Sequence, residues 1–283
     1  MTVDFRVRIP PSEQYSEIQS ATEFPEDMRH YVELYGMETI LSMDTQVLLK
    51  LMEKSDVTHA VLQAEVEFGD YHKVNAIVER LSKQYPEKFT GFITVDPTSG
   101  DNALDLIENA VKWGCKGINL EPWSFNTNAT DPYYMNVCEL ARDRNLIITC
   151  HASVNFSKFH PIEHSHPLYL DKIACAFPGL KIVANHGGWP WVTEMVAVAW
   201  KHPNIYIEFG GVSPKYMSKP GTGWEPMLVY GNSQLKKQLM FATDWPVIDF
   251  EQSISEFKQL PLKPEVLEGA LYKNAAALLE KDI

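Results

Sequence analysis

Apolar and polar residues alternate strictly over residues 3–9: Val3, Phe5 and Val7 share one face, while Asp4, Arg6 and Arg8 share the other. That is the period of a strand. Short apolar or alternating runs recur at 58–65, 89–96, 116–121, 146–151, 181–186, 204–209 and 239–244, so eight strands are expected. Between most of them, apolar residues fall at helical spacing over 71–85, 102–114, 133–145, 168–177, 191–202 and 250–260, and 264–280 makes a terminal helical region. Asp101 is placed to cap the second of these helices and Gly114 to end it. Eight strands alternating with helices in 283 residues match the count and length of an α/β protein of the (β/α)8 TIM-barrel class. A doubly wound sheet shares the alternation, but no glycine-rich phosphate loop follows the first strand.

The expectation is therefore a single TIM-barrel domain over 1–283, with an extended loop insertion at 9–44 after the first strand. That stretch is too long for an ordinary βα loop, and its Pro10, Pro11, Pro25, acids and aromatics suit a folded lid or an oligomer contact. A second candidate wall is the segment at 213–232.

Strand parity points to chemistry. The strands after the first end in Glu65, Asp96, Glu121, His151, His186, Glu208 and Asp244. His151 shares a face with Ile147 and Thr149, His186 with Ile182 and Ala184, and Asp244 with Met240 and Ala242; Asn119 and Glu121 project inward together. Barrel enzymes carry their catalytic groups at these strand ends. Two inward arginines are expensive to bury unless paired with acids or open to a cavity. Arg6 and Arg8 thus either neutralise Asp244, Glu121 and Glu208, or Arg8, nearer the mouth, grips a substrate carboxylate with its planar fork. Both hold together if Arg6 is paired internally. Trp123, Trp189, Trp191 and Trp245 lie just beyond strand ends, as an aromatic wall for a ligand or as rim packing.

Composition narrows the partners. A hydrophobic content of 45% with seven Trp is ample for a large core, and a net charge of −12 argues against nucleic acid and anionic membranes. No apolar run approaches the ~20 residues that span a bilayer, and MTVDFRVRIPP holds no signal-peptide core, so a cytoplasmic location is expected. The four cysteines, Cys115, Cys138, Cys150 and Cys175, are expected to be buried free thiols. His160, His164 and His166 sit in a Pro-containing loop and read as solvated groups rather than ligands.

The segments CHAS (150–153), FPGLKIVANHGGWPWV (177–192), ATDWP (242–246) and LYKNAAALL (271–279) resemble the amidohydrolase superfamily. The branch is the one that holds aminocarboxymuconate-semialdehyde decarboxylase, resorcylate decarboxylase and pyrone-dicarboxylate lactonase. The resemblance places the family's fifth-strand His on His151, its sixth-strand His on His186 and its eighth-strand Asp on Asp244. It also implies a first strand DxHxH whose two histidines bind a divalent metal; here that strand reads Asp4-Phe5-Arg6-Val7-Arg8. Arginine stays protonated and offers no lone pair to a metal. No cofactor is therefore expected. The alternative is one zinc-like divalent ion on His151, His186 and Asp244, with Glu121 as a further donor.

Three functions follow. The first is metal-independent hydrolysis of a small carboxylated metabolite, a lactone, with Asp244 as general base, His186 or His151 at the carbonyl, and Arg6, Arg8, Asn119, Glu121 and Trp189 binding substrate. The second is non-oxidative decarboxylation of an aromatic or enoic acid. The third is non-catalytic binding of an acidic metabolite. A homo-oligomer is left open.

Overall fold

Each of the eight expected strands forms, and each pairs in parallel with the next. They are β1 (Thr2–Arg8), β2 (Val57–Gln63), β3 (Phe89–Thr94), β4 (Gly117–Leu120), β5 (Ile147–His151), β6 (Lys181–Asn185), β7 (Ile205–Glu208) and β8 (Leu239–Met240). The computed structural model describes residues 1–24, 26–65 and 71–281. The sheet closes through Phe5 N–H to Phe241 O (3.0 Å), Asp244 N–H to Arg6 O (2.9 Å) and Arg8 N–H to Trp245 O (3.0 Å). The last strand is short because the Phe241 N–H also reaches Ala270 O, at 2.8 Å, in the terminal helical region.

One principal helix follows each strand: α1 (Thr45–Lys54), α2 (Tyr71–Gln84), α3 (Asp101–Trp113), α4 (Pro132–Asp143), α5 (Leu168–Ala176), α6 (Val192–Lys201), α7 (Glu225–Gly231) and α8 (Phe250–Phe257). The chain is a (β/α)8 TIM barrel. Local chemistry sets several boundaries: Asp44, Asp131 and Asp249 accept backbone N–H groups at the starts of α1, α4 and α8. Gly114 ends α3 in the left-handed conformation, with φ 94°. Asp101 does not cap α3: it is the first helical residue, and Gly100 takes the cap position.

The barrel interior is layered. Val3, Phe5, Val61, Phe92, Ile147, Val183, Met240 and Ala242 form an apolar lower layer, floored by Ala275, Leu278 and Leu279 from the C-terminal segment. Residues from so many different strands can meet only inside the barrel. Phe5 and Phe92 pack edge to face at 5.9 Å, and a Cβ on Gly117 would lie 2.4 Å from the Phe92 ring, so β4 opens on glycine for space. Two residues further along the strands, Gln63, Asn119, Thr149 and Asn185 make an amide and hydroxyl layer. Two residues further again come the ionisable groups.

β1 departs from its expected parity. Val3 and Phe5 face inward with the lower layer, whereas Val7 packs in the outer core. Between Asp4 and Val7 the pairing to β2 slips, because Asp4 opposes Ala60 while Val7 opposes Leu62. Such a bulge puts Phe5 and Arg6 on the same side. Asp4 instead turns toward β8, where it accepts from Thr243 Oγ1 (2.6 Å) and Thr243 N (3.1 Å).

The segment at 9–44 carries short helices at Pro11–Gln14, Glu26–Tyr35 and Met37–Leu41 and a 3-10 turn at Ala21–Glu23. Tyr15, Phe24, Met28, Val32 and Ile40 give it a small core of its own. Pro25 lies outside the described residues. Among the described residues no helix is long and apolar enough to cross a membrane.

Candidate functional site

Arg6 is the centre of the charged layer, with a side chain only 1% exposed. Its Nε donates to Asp244 Oδ1 (3.1 Å), Nη1 to Gln63 Oε1 (2.9 Å) and Asn119 Oδ1 (3.4 Å), and Nη2 to Glu65 and Glu121 (3.4 Å to the latter). Arg8 lies nearer solvent, at 13% exposure. Its Nε and Nη2 reach the two Asp244 oxygens at 3.1 and 3.3 Å, and Nη1 lies 3.0 Å from Glu65 Oε2. Met28 of the 9–44 segment approaches the same Nη1, with its sulfur at 3.7 Å. Both arginines therefore converge with Glu65, Glu121 and Asp244 at the C-terminal mouth.

His151 and His186 complete the cluster, their rings 4.8 Å apart. His151 arrives by parity. Its Nδ1 meets the hydroxyl of Ser165 at 2.8 Å, in a 3-10 turn of the following loop. His186 does not arrive by parity: Ile182 and Ala184 belong to the outer core, and Val183 lines the barrel. The backbone at His186 takes φ 62°, which turns the ring back into the mouth, and Asp244 takes φ 60°. Two non-glycine residues in the left-handed region are sterically strained, and such strain gathers at functional sites. Gly211 lies against both, at 3.4 Å from Asp244 Oδ2 and His186 Nδ1 measured from where a Cβ would stand, and its own φ of 71° is the feature that favours glycine there.

Hydrogen bonding assigns one tautomer. His186 Nδ1 lies 2.7 Å from Gly210 O, and a carbonyl can only accept, so Nδ1 carries the proton. Burial, then Arg6, hold its pKa down to about 4. The neutral ring therefore turns a lone pair, not a proton, outward on Nε2. Burial likewise lowers His151, helped by His186 and the arginines. Burial pushes Asp244 up, but Arg8, Arg6 and His186 outweigh it and leave the carboxyl below its ordinary value. For Glu65 burial wins over both arginines and lifts it to about 8.

Other expected residues fall elsewhere. Asn119 lies one layer below, its Nδ2 on Ala64 O (3.0 Å) and Glu121 Oε1 (3.3 Å), so it holds Arg6 rather than facing the rim. Trp189 is 41% exposed, with its indole N–H on Thr222 O at 3.1 Å. The ring seated against His151 is that of Trp123, at 5.8 Å, and among the described residues no acceptor meets its buried Nε1–H. Trp245 is buried in the outer core, stacked on Phe250. Asp96 caps a 3-10 turn through Thr98 N. His160, His164 and His166 are bonded locally to Ser157, Asn128 and the Leu168 N–H. Gln63, Asn185 and Ser165 were not expected; the parity of Glu65 would have found the first.

These shifts set a pH dependence. Asp4, lifted by burial to about 8, Glu65 at about 8 and Glu208 at about 7 keep their protons when folded and lose them when unfolded. Their contribution is full at acid pH and is lost as pH rises toward about 8. The histidines oppose this, but only up to the ordinary value of 6.5. Between pH 6.5 and 8 the carboxyls act alone, so Tm should fall across that interval and Asp4→Asn should flatten the slope. A wild-type Tm that rises there contradicts the assignment.

A parallel barrel with histidines, an aspartate and two arginines at its C-terminal strand ends is that of a TIM-barrel enzyme. The chain belongs to the amidohydrolase family (Amidohydro_2), whose model matches residues 27–281, and it is an enzyme of that family. No curated protein sequence matches it. Among solved structures it is similar to an uncharacterized TIM-barrel protein from Bordetella bronchiseptica, with 22% identity and a TM-score of 0.79 over 99% of this chain and 98% of that one. It is also similar to a probable 2-pyrone-4,6-dicarboxylic acid hydrolase from Acinetobacter baumannii with citric acid bound, at 18% identity, TM-score 0.69 and 99% of both chains. A third is 5-carboxyvanillate decarboxylase from Sphingomonas paucimobilis, at 16% identity, TM-score 0.71 and 99% of both chains. At these identities the likeness is one of fold.

Proposed function

We infer that this enzyme hydrolyses a small carboxylated lactone without a metal. The observation that carries the reading is the division of labour between the arginines: Arg6 is enclosed by acids and amides, whereas Arg8 is the cation at the open edge. A cation there suits a substrate carboxylate. The family's metal does not fit the residues present. Two guanidiniums occupy the end of β1 and engage Asp244, and the His186 Nδ1 is committed to Gly210 O. Among the described residues, His151, His186 and Asp244 do not bring three ligand atoms within 4.8 Å of one another.

In the proposed reaction Asp244, ionised near neutral pH, takes a proton from water as the oxygen attacks the lactone carbonyl. His151 can offer an Nε2–H to the forming oxyanion when Ser165 donates to its Nδ1. His186, with a bare Nε2, is suited to orienting the attacking water instead. Collapse breaks the bond to the ring oxygen, which takes up the proton held on Asp244 and becomes the hydroxyl of the ring-opened hydroxy acid. A proton-release screen of carboxylated lactones tests the reaction, and a stoichiometric divalent metal with His151 and Asp244 among its ligands would remove the metal-free reading.

Decarboxylation is the second reading, favoured by Glu65, whose carboxyl burial holds above its ordinary value beside both arginines, where it could pass a proton to a carbanion. Release of CO₂ from aromatic acids, with no hydrolysis of lactones, would select it.

Arg8→Lys keeps the charge but loses the fork, so it should mainly raise KM for a carboxylated substrate. Methyl esterification of that carboxylate should erase most of the difference from wild type. A variant that unfolds instead marks Arg8 as a counter-ion for Asp244 and Glu65.

A further inference from the structure

Cys175 is exposed, contrary to the expectation of four buried thiols; Cys115, Cys138 and Cys150 are buried. It lies one helical turn from Asp171 on α5, on the same face. Facing them is His202, the residue that ends α6. His202 Nε2 lies 2.7 Å from Asp171 Oδ1 and 3.9 Å from Cys175 Sγ, and one ligand atom from each of the three residues falls within 4.8 Å of the others. A tetrahedral zinc ion, with bonds of ~2.0–2.3 Å, sets its donors ~3.3–3.6 Å apart. The observed spacings bracket that range.

The donors are also aimed. Lys201 Nζ lies 2.7 Å from Asp171 Oδ1 and 3.7 Å from Cys175 Sγ, so the cluster already draws in a cation. His202 is held by its backbone, with Ile205 N–H and Gln238 Nε2 both donating to its carbonyl, at 3.0 and 3.1 Å. Its side chain is 13% exposed and that of Asp171 27%, which leaves one side open for solvent.

We propose that Asp171, Cys175 and His202 form a binding site for a thiophilic divalent cation of the zinc type, stapling α5 to the end of α6. The thiol gives up its proton, the Lys201 ammonium swings away, and water fills the fourth position. These two helices follow β5 and β6, the strands that carry His151 and His186, so occupancy stiffens the outer support of the catalytic histidines without touching them. The site is independent of the reaction proposed for the mouth.

Cobalt(II) is the probe, because a thiolate bound to it gives a charge-transfer band in the near ultraviolet. Titration of reduced, chelator-treated full-length protein should produce that band, saturating at one equivalent. Cys175→Ser should abolish it, His202→Ala should weaken binding by at least the ~10-fold that losing an outer-shell partner costs, and Lys201→Met should tighten binding by removing the competing cation. Zinc should raise the Tm of wild type and leave that of Cys175→Ser unchanged. Asp244→Asn should titrate like wild type, which separates this site from any metal in the barrel mouth. No thiolate band in folded wild type, or wild-type cobalt affinity in His202→Ala, overturns the proposal.

Discussion

Asp244→Asn is expected to lower kcat for a carboxylated lactone by ~10²-fold or more, the size of a general-base contribution, with little change in KM. The substitution keeps the shape and an oxygen that can accept from Arg6 and Arg8, but removes the basic lone pair. Because Asp244 also neutralises both arginines, circular dichroism and thermal unfolding of the variant are part of the test. The low pKa of Asp244 makes it a weak base, so its advantage rests on position and on release from Arg8 when a substrate carboxylate takes that guanidinium. Undiminished turnover in a folded variant would remove Asp244 from the role and leave the bare Nε2 of His186 as the base.

Arg6→Met should be the most destabilising single change in the site, by ~3–5 kcal/mol, the range for removing one partner from a buried ion pair. Four acids, Glu65, Asp244, Glu208 and Glu121, raise the Arg6 pKa against the effect of burial. Without the guanidinium they would repel one another in a space closed to water. The loss should be greater at pH 8 than at pH 5, because the acids can take up protons at the lower pH. Urea unfolding at both values measures it, and a loss below ~0.5 kcal/mol, the size of an ordinary surface effect, would show that Arg6 is not the keystone of the charged layer.

Much of this was legible in the chain because a barrel strand writes its two faces in alternate residues. The eight strands follow from that period or from short apolar runs, and the inward positions of Glu121, His151 and Asp244 follow from the period. It fails where the backbone leaves the regular strand. A bulge in β1 and a left-handed residue at His186 are local twists that side-chain alternation cannot encode, so Asp4 and the Ile182 face were misassigned although Arg6, Arg8 and His186 reach the mouth. The tautomer of His186 depends on Gly210 O, a backbone atom two strands of reasoning away from any motif. Trp123 and Trp189 both lie just beyond strand ends, a position that does not choose between them; the fold seats Trp123 against His151. The amide layer was missed for another reason: Gln63 and Asn185 carry no charge and announce nothing until Arg6 lies on top of them.

The bulge in β1 also bears on how this site can vary. Below it the strand delivers Val3 and Phe5 to the apolar plug, and above it the same strand delivers two guanidiniums to the mouth. Both deliveries depend on a single extra residue between Asp4 and Val7. Deleting that residue would leave every side chain of the mouth encoded, yet would rotate either the plug or the arginines into the helix layer. In this barrel the length of the first strand is itself a functional trait, and lineages should exchange residues there far more readily than they gain or lose one.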